Sequence, residues 1–155
     1  MTRIEGRAEF RRSPAEMFDF LAYPRNEPEY NPLIVRAQKL TPGPIGPGTR
    51  FSQRTQKFGR TGEVTIDLVD ADRPGRLTWR IESPGMHVDG EETITGTSDG
   101  STVHWVWDFR ARGALRLLGP VGGLAGRRME RRVWSDMQRY LDGQERSTDT
   151  RTPRE

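Results

Sequence analysis

Between residues 48 and 112 the chain offers one hairpin after another, and the hairpins agree about which face is inside. Closing the first at Phe58-Gly59 sets Phe51 opposite Ile66 and Gln53 opposite Val64, while Arg54 meets Glu63 and Arg50 meets Asp67 on the other side. With residues 70–75 as the next link, Leu68 faces Leu77, Ile66 faces Trp79 and Val64 faces Ile81. A tip at Pro84-Gly85, a pair suited to a type II turn, sets Ile81 opposite Val88, Arg80 opposite Asp89 and Glu82 opposite His87. A tip at Asp99-Gly100, a type I′ signal, sets Ile94 opposite Trp105, Gly90 opposite Phe109 and Asp89 opposite Arg110, at the cost of Glu91 opposite Asp108. One such pair contributes only about 0.2–1 kcal/mol. Their agreement is what constrains the fold, because a slip of one residue turns every inward Trp to solvent. The expected product is a curved antiparallel sheet with one apolar face.

The flanking segments supply the rest of that sheet and its cover. Over residues 4–10, Ile4, Gly6, Ala8 and Phe10 alternate with Glu5, Arg7 and Glu9, which reads as a half-buried strand. Ser13, Pro14 and Glu16 form a capping-box start for a short helix carrying Met17, Phe18, Phe20 and Leu21, which ends near Tyr23-Pro24. A second short helix or turn reaches Pro32, a strand covers 33–40, and 41–48, with three Pro and three Gly, reads as a loop. From 121 to 141, Met129, Val133, Met137 and Tyr140 form a helical stripe edged by Trp134 and Leu141. Gly122, Ala125 and Gly126 occupy the same stripe where bulk is expected. Either the helix leaves space above the sheet there, or 119–123 is loop and the helix starts late.

The fold class is therefore α+β: about seven antiparallel strands wrapped around a long C-terminal helix. The chain of 155 residues reads as one ligand-binding domain over 1–142 and a polar tail over 143–155, expected to be disordered. It has no Cys, so disulfides, thiolate metal sites and thiol nucleophiles are excluded. No apolar run reaches the roughly 18 residues of a membrane span, and nothing ahead of Ile4 reads as a signal peptide. The expected location is the cytoplasm, and the expected state a monomer or homodimer.

The motifs carry a resemblance. Residues 13–21, Ser-Pro-Ala-Glu-Met-Phe-Asp-Phe-Leu, are similar to the "S-P-x-x-V-F-x-x-L" opening of the START/Bet v 1-like, or SRPBCC, superfamily. Tyr30-Asn31-Pro32 resembles its "W-N-P" turn, with Tyr in place of Trp, and Gly46 to Phe51 resembles its "G-x-G-x-x-F" strand entry. Within that superfamily the chain resembles the bacterial polyketide cyclase/dehydrase and lipid-transport group, from residue 1 to about 144. The resemblance implies a helix-grip fold and a cavity for a small, mostly apolar or aromatic ligand. It implies either cofactor-free cyclisation or dehydration, or lipid carriage. Because catalytic residues differ between branches of that superfamily, the resemblance assigns none here.

The residues themselves suggest where chemistry sits. The registers put His87 and His104 on the outer face, which argues against a Ser-His-Asp hydrolase and against a metal site. Glu92 falls on the inner face, between Leu77 and Trp107, where desolvation would suit it to general acid or base work. Glu130 lies within the apolar half of the last helix. The expected cavity wall comprises Phe51, Gln53, Thr55, Ile66, Trp79, Glu92, Trp105, Trp107, Ala125, Met129, Glu130 and Val133. Tyr23, Tyr30 and Asn31 are expected near its opening, with the 41–48 loop as a candidate gate. No cofactor or metal is expected. The rival signal is basic: Arg110, Arg112, Arg116, Arg127, Arg128, Arg131, Arg132 and Arg139 crowd the last strand and helix. Such a face could instead dock an acidic partner: a protein, a membrane surface or RNA. No motif or aromatic interleaving points to DNA.

Overall fold

The computed structural model describes residues 1–57 and 59–149. The order of elements is β1 (Thr2–Phe10), α1 (Pro14–Leu21), a 3₁₀ segment (Pro24–Glu29), β2 (Ile34–Lys39), β3 (Arg50–Lys57), β4 (Arg60–Asp72), β5 (Arg76–Ser83), β6 (Met86–Thr97) and β7 (Gly100–Ala111). A second 3₁₀ segment (Gly113–Leu118) leads into the 31-residue α2 (Gly119–Asp149). The strands form one antiparallel sheet in the order β1-β7-β6-β5-β4-β3-β2. This is the helix-grip fold. Among the described residues no helix is long and apolar enough to cross a membrane.

Local chemistry explains the first elements. β1 buries Ile4 and Phe10 and exposes Arg3, Glu5, Arg7 and Glu9, the alternation its sequence requires. At α1, Ser13 Oγ accepts the Glu16 N–H at 3.2 Å and Glu16 Oε2 accepts the Ser13 N–H at 2.9 Å, so two N-terminal donors are satisfied reciprocally. α1 buries Met17, Phe18 and Leu21 against the sheet.

Two hairpins have the expected register. β3 and β4 pair Phe51 with Ile66, Gln53 with Val64, Arg54 with Glu63 and Arg50 with Asp67. β5 and β6 pair Ile81 with Val88, Arg80 with Asp89 and Glu82 with His87. Phe58, half of the first tip, lies outside the described residues. The other two hairpins differ from expectation by two positions. A bulge between Leu68 and Asp70 lets β4 run on to Asp72, so Leu68 faces Trp79, Ile66 faces Ile81 and Ala71 faces Leu77. In the last hairpin Thr97 pairs with Gly100, leaving Ser98-Asp99 as the link. Ile94 therefore faces Val103, Gly90 faces Trp107, Glu92 faces Trp105 and Glu91 faces Val106. Asp89 meets Asp108 rather than Arg110. That like-charge pair is relieved sideways: Arg3 donates twice to Asp108, each at 2.8 Å, and Arg80 donates to Asp89 at 3.3 Å. A displacement of two preserves faces, since side chains alternate with period two.

α2 is anchored on the concave face by Trp134, Met137 and Leu141. Trp134 stacks on Trp105 with ring centroids 4.0 Å apart and planes 6° from parallel. Neither reading of the glycine stripe holds. The helix already begins at Gly119, and the glycines bring it close to β1 rather than lifting it away. A Cβ on Gly126 would lie 2.9 Å from Ile4 Cδ1, and one on Gly123 would lie 3.1 Å from Thr2 Cγ2. The helix also continues through 143–149, where a disordered tail was expected, and Arg12 pairs with Glu145 at 3.5 Å. Residues 150–155 lie outside the described residues.

Candidate functional site: an acidic-ended apolar cavity

Between the concave face, the Pro24–Glu29 segment and α2 lies a cavity of about 600 Å³. Its floor is apolar and aromatic, with Ile66, Trp79, Ile81, Val88, Trp107 and Phe109 contributed by β4 to β7. Of the expected wall, Gln53, Thr55, Ile66, Trp79 and Glu92 border it from the sheet. So do Trp107 and, from α2, Met129, Glu130 and Val133. Three expected wall residues are elsewhere. Phe51 is fully buried behind the wall, with Tyr23 edge-on at 6.4 Å. Trp105 is spent on its stack with Trp134. Ala125 is exposed, because the buried side of α2 runs through Gly126, Glu130, Trp134, Met137 and Leu141. Tyr30 and Asn31 border the cavity, whereas Tyr23 and the 41–48 loop do not.

Three carboxyls line the cavity near enough to feel one another's charge. Glu92, 5% exposed, accepts the Trp79 Nε1–H at 3.0 Å. Desolvation by burial raises its pKa to about 8, with smaller contributions from Glu130 and Glu27. Glu130 accepts the Trp134 Nε1–H at 3.1 Å, and burial above all, then Glu27, raises its pKa to about 7. The Trp107 indole N–H lies near enough to favour charge on Glu130 but falls short of hydrogen-bond geometry, and it is buried without a partner. Glu27 comes from the Pro24–Glu29 segment and was not foreseen. It accepts Gln53 Nε2–H at 2.5 Å and Asn31 Nδ2–H at 2.8 Å, and its pKa is raised by burial despite those bonds. Tyr30 joins them; its phenol is held neutral by burial first and then by Glu27 and Glu92. A six-residue 3₁₀ segment has no periodicity from which an inward face can be read, so no signal in the sequence singled out Glu27.

The histidines face away from the cavity. His87 bridges Glu82 and Asp89 on the convex side, and those carboxylates raise its pKa. Among the described residues, no cluster of three or more His, Asp or Glu is arranged to hold a metal ion.

A sequence profile of the family described as "Polyketide cyclase / dehydrase and lipid transport" matches residues 1–146. No curated protein matches the chain. Among solved structures, the Zhui aromatase/cyclase from a Streptomyces species is similar at 19% identity and TM-score 0.67, covering 94% of each chain. Ara h 8.0201 is similar at 17% identity and TM-score 0.67, covering 90% of this chain and 97% of the other. A START superfamily protein from Mycobacterium smegmatis is similar at 11% identity and TM-score 0.71, covering 93% and 97%. Likenesses at these identities concern the fold.

Proposed function

The chain belongs to the polyketide cyclase/dehydrase and lipid transport family, and from that premise we propose that its cavity takes up a small, mostly apolar or aromatic molecule in the cytoplasm. Glu92 and Glu130 hold the polar end of that guest and exchange protons with it. The observation that carries this reading is the 600 Å³ apolar cavity ending in two carboxyls whose pKa values lie near 8 and 7. Groups poised near neutrality are suited to general acid and base work. Cyclisation and dehydration require proton movement and a folded substrate, and no cofactor is needed for either. The aromatase/cyclase among the structural likenesses is consistent with that chemistry.

Two measurements test the reading. Native mass spectrometry of protein purified from its own host should find a bound small molecule. A neutral solvatochromic dye should bind at one per chain, and Val133→Trp, which fills the wall, should abolish binding. No uptake, or uptake indifferent to the filled wall, would sink the proposal. A Glu92→Gln variant that keeps full turnover on an identified substrate would remove Glu92 from the chemistry.

One observation favours a second reading. Arg127, Arg128, Arg131 and Arg132 are exposed on α2, and Leu117 and Leu124 are 89% and 70% exposed nearby. Such a face could dock an acidic partner. Binding through it should weaken steeply between low and physiological salt, whereas dye uptake should barely change.

A further inference from the structure

Among the described residues, the buried ionisable side chains of the cavity wall are all acids. Glu27, Glu92 and Glu130 arrive from three separate elements. The chain has 25 Lys and Arg, yet among the described residues the wall contains only one of them, Lys57, which is exposed. Each inner carboxyl takes its hydrogen bonds from neutral N–H donors: Trp79 for Glu92, Trp134 for Glu130, Gln53 and Asn31 for Glu27. Such donors favour a carboxylate, whereas a neutral acid needs an acceptor for its own proton. The second oxygens of Glu92 and Glu130 have no hydrogen bond among the described residues, and they are not among the fully enclosed atoms. Both residues border the cavity. The wall thus offers carboxylates their hydrogen bonds but no counter-charge, and buried charges require both.

A second observation points to a guest, although it concerns an N–H that also lies near Glu130. Trp107, 9% exposed and in the same wall, has a buried Nε1–H without a partner. Buried donors are rarely left idle, and a guest with an oxygen acceptor would satisfy this one. The rings of Trp79, Trp107, Trp134 and Tyr30 share that wall, and aromatic faces attract cations.

We infer that the guest is an organic cation: a protonated amine on an apolar or aromatic body, its ammonium held among Glu27, Glu92 and Glu130 and an oxygen acceptor turned to Trp107. This rests on the ligand-cavity reading above and specifies its chemistry. An anionic guest would oppose any ionisation of these acids and a neutral one would leave them protonated, whereas a cation lets them take the carboxylate form that their N–H donors favour. The titratable groups facing the ammonium are the three glutamates, Tyr30 and, beyond it, Tyr140. When the ammonium enters, a protonated carboxyl ionises to pair with it and its proton leaves to solvent.

The test uses one skeleton with three end groups, naphthylethylamine, naphthylethanol and naphthylacetate, titrated into the full chain at neutral pH. Tryptophan fluorescence reads affinity, and calorimetry in two buffers of different ionisation heat reads proton release. The amine should bind at least about ten-fold tighter than the alcohol, the carboxylate should bind weakest, and protons should be released with the amine alone. Glu92→Gln and Glu130→Gln should each erase most of the preference for the amine over the alcohol, and with it the proton release. Proton release in the unmodified protein needs no variant, so a misfolded variant does not blunt the test. An alcohol that binds as tightly as the amine, or a preference that survives both substitutions, overturns the inference alone. Failure of all three ligands together with the neutral dye overturns the cavity reading, and this inference with it.

Discussion

At Gly90 the sheet gives up a side chain so that an indole can lie over it. A Cβ there would stand 1.8 Å from Trp107 Cε3, and one on Gly6 would stand 2.3 Å from Trp105 Cζ2. Rings this close to the backbone are why two large tryptophans fit under α2. Gly90→Ala must push Trp107 out of the cavity floor, an overpacking that typically costs about 1–3 kcal/mol. Gly143, on α2, has nothing within 4 Å of a built Cβ, so Gly143→Ala should stabilise by up to about 1 kcal/mol through helix propensity. Urea unfolding of the two variants should therefore move in opposite directions, and dye affinity should fall only for Gly90→Ala. If Gly90→Ala matched the parent in both measurements, Trp107 would not be held where we place it. The inward side of Gly90 was legible from alternation. Its reason was not, because the expected register set it opposite Phe109 rather than Trp107.

Among the elements, α2 is the one whose grip decides whether a cavity exists. Its hold is concentrated in the Trp134–Trp105 stack, with Met137 and Leu141 beyond it. Trp134→Ala should cost about 3–5 kcal/mol and release the hydrogen bond that Glu130 accepts. Trp134→Phe keeps a ring and should cost less. Thermal unfolding ranks the two variants, and equal melting points would mean that the stack is not the anchor. Sequence periodicity located this helix but turned it slightly. Counting apolar side chains centres the stripe on Met129 and Val133, yet Met129 is 39% exposed. The contact line instead follows Gly126, Glu130, Trp134 and Met137, because close approach at glycine and ring stacking outweigh apolar count. The hairpins show the same division. Faces were legible everywhere, since they depend only on alternation. Exact partners were legible at β3–β4 and β5–β6, but not where the Leu68 bulge or the Ser98-Asp99 link shifted the pairing by two.

Across the whole molecule, ionisable groups fall into two populations with opposite pH behaviour. At the surface, carboxylates are held below their usual range. Asp108 is held by Arg3, Asp19 by Arg73, Glu63 by Arg54, and Asp89 and Glu82 by His87 first. Their stabilisation is present above the unfolded pKa near 4 and is lost as pH falls through the folded values. Inside the cavity Glu27, Glu92 and Glu130 are raised, the last two to about 8 and about 7. The folded state holds those protons when the unfolded chain has released them. Stability is therefore full below about pH 4.5 for this group and declines as pH rises towards 8. His87, raised by Asp89 and Glu82, adds to the same decline from its ordinary value upward. Together the two limbs place the stability maximum near pH 5, on the acid side of neutrality, in a chain of formal charge +3. Melting midpoints recorded from pH 3 to 9 should fall on both sides of that maximum. The double variant Glu92→Gln/Glu130→Gln should flatten the alkaline limb and leave the acid limb in place, since glutamine keeps an acceptor for Trp79 and Trp134 but cannot ionise. Its advantage over the parent should grow with pH by at most about 1.4 kcal/mol per unit for each acid, and should level off above the raised pKa values. A parent whose midpoint climbs steadily from pH 5 to 8 would mean that these carboxyls are solvated, and the acidic end of the cavity would lose its physical basis.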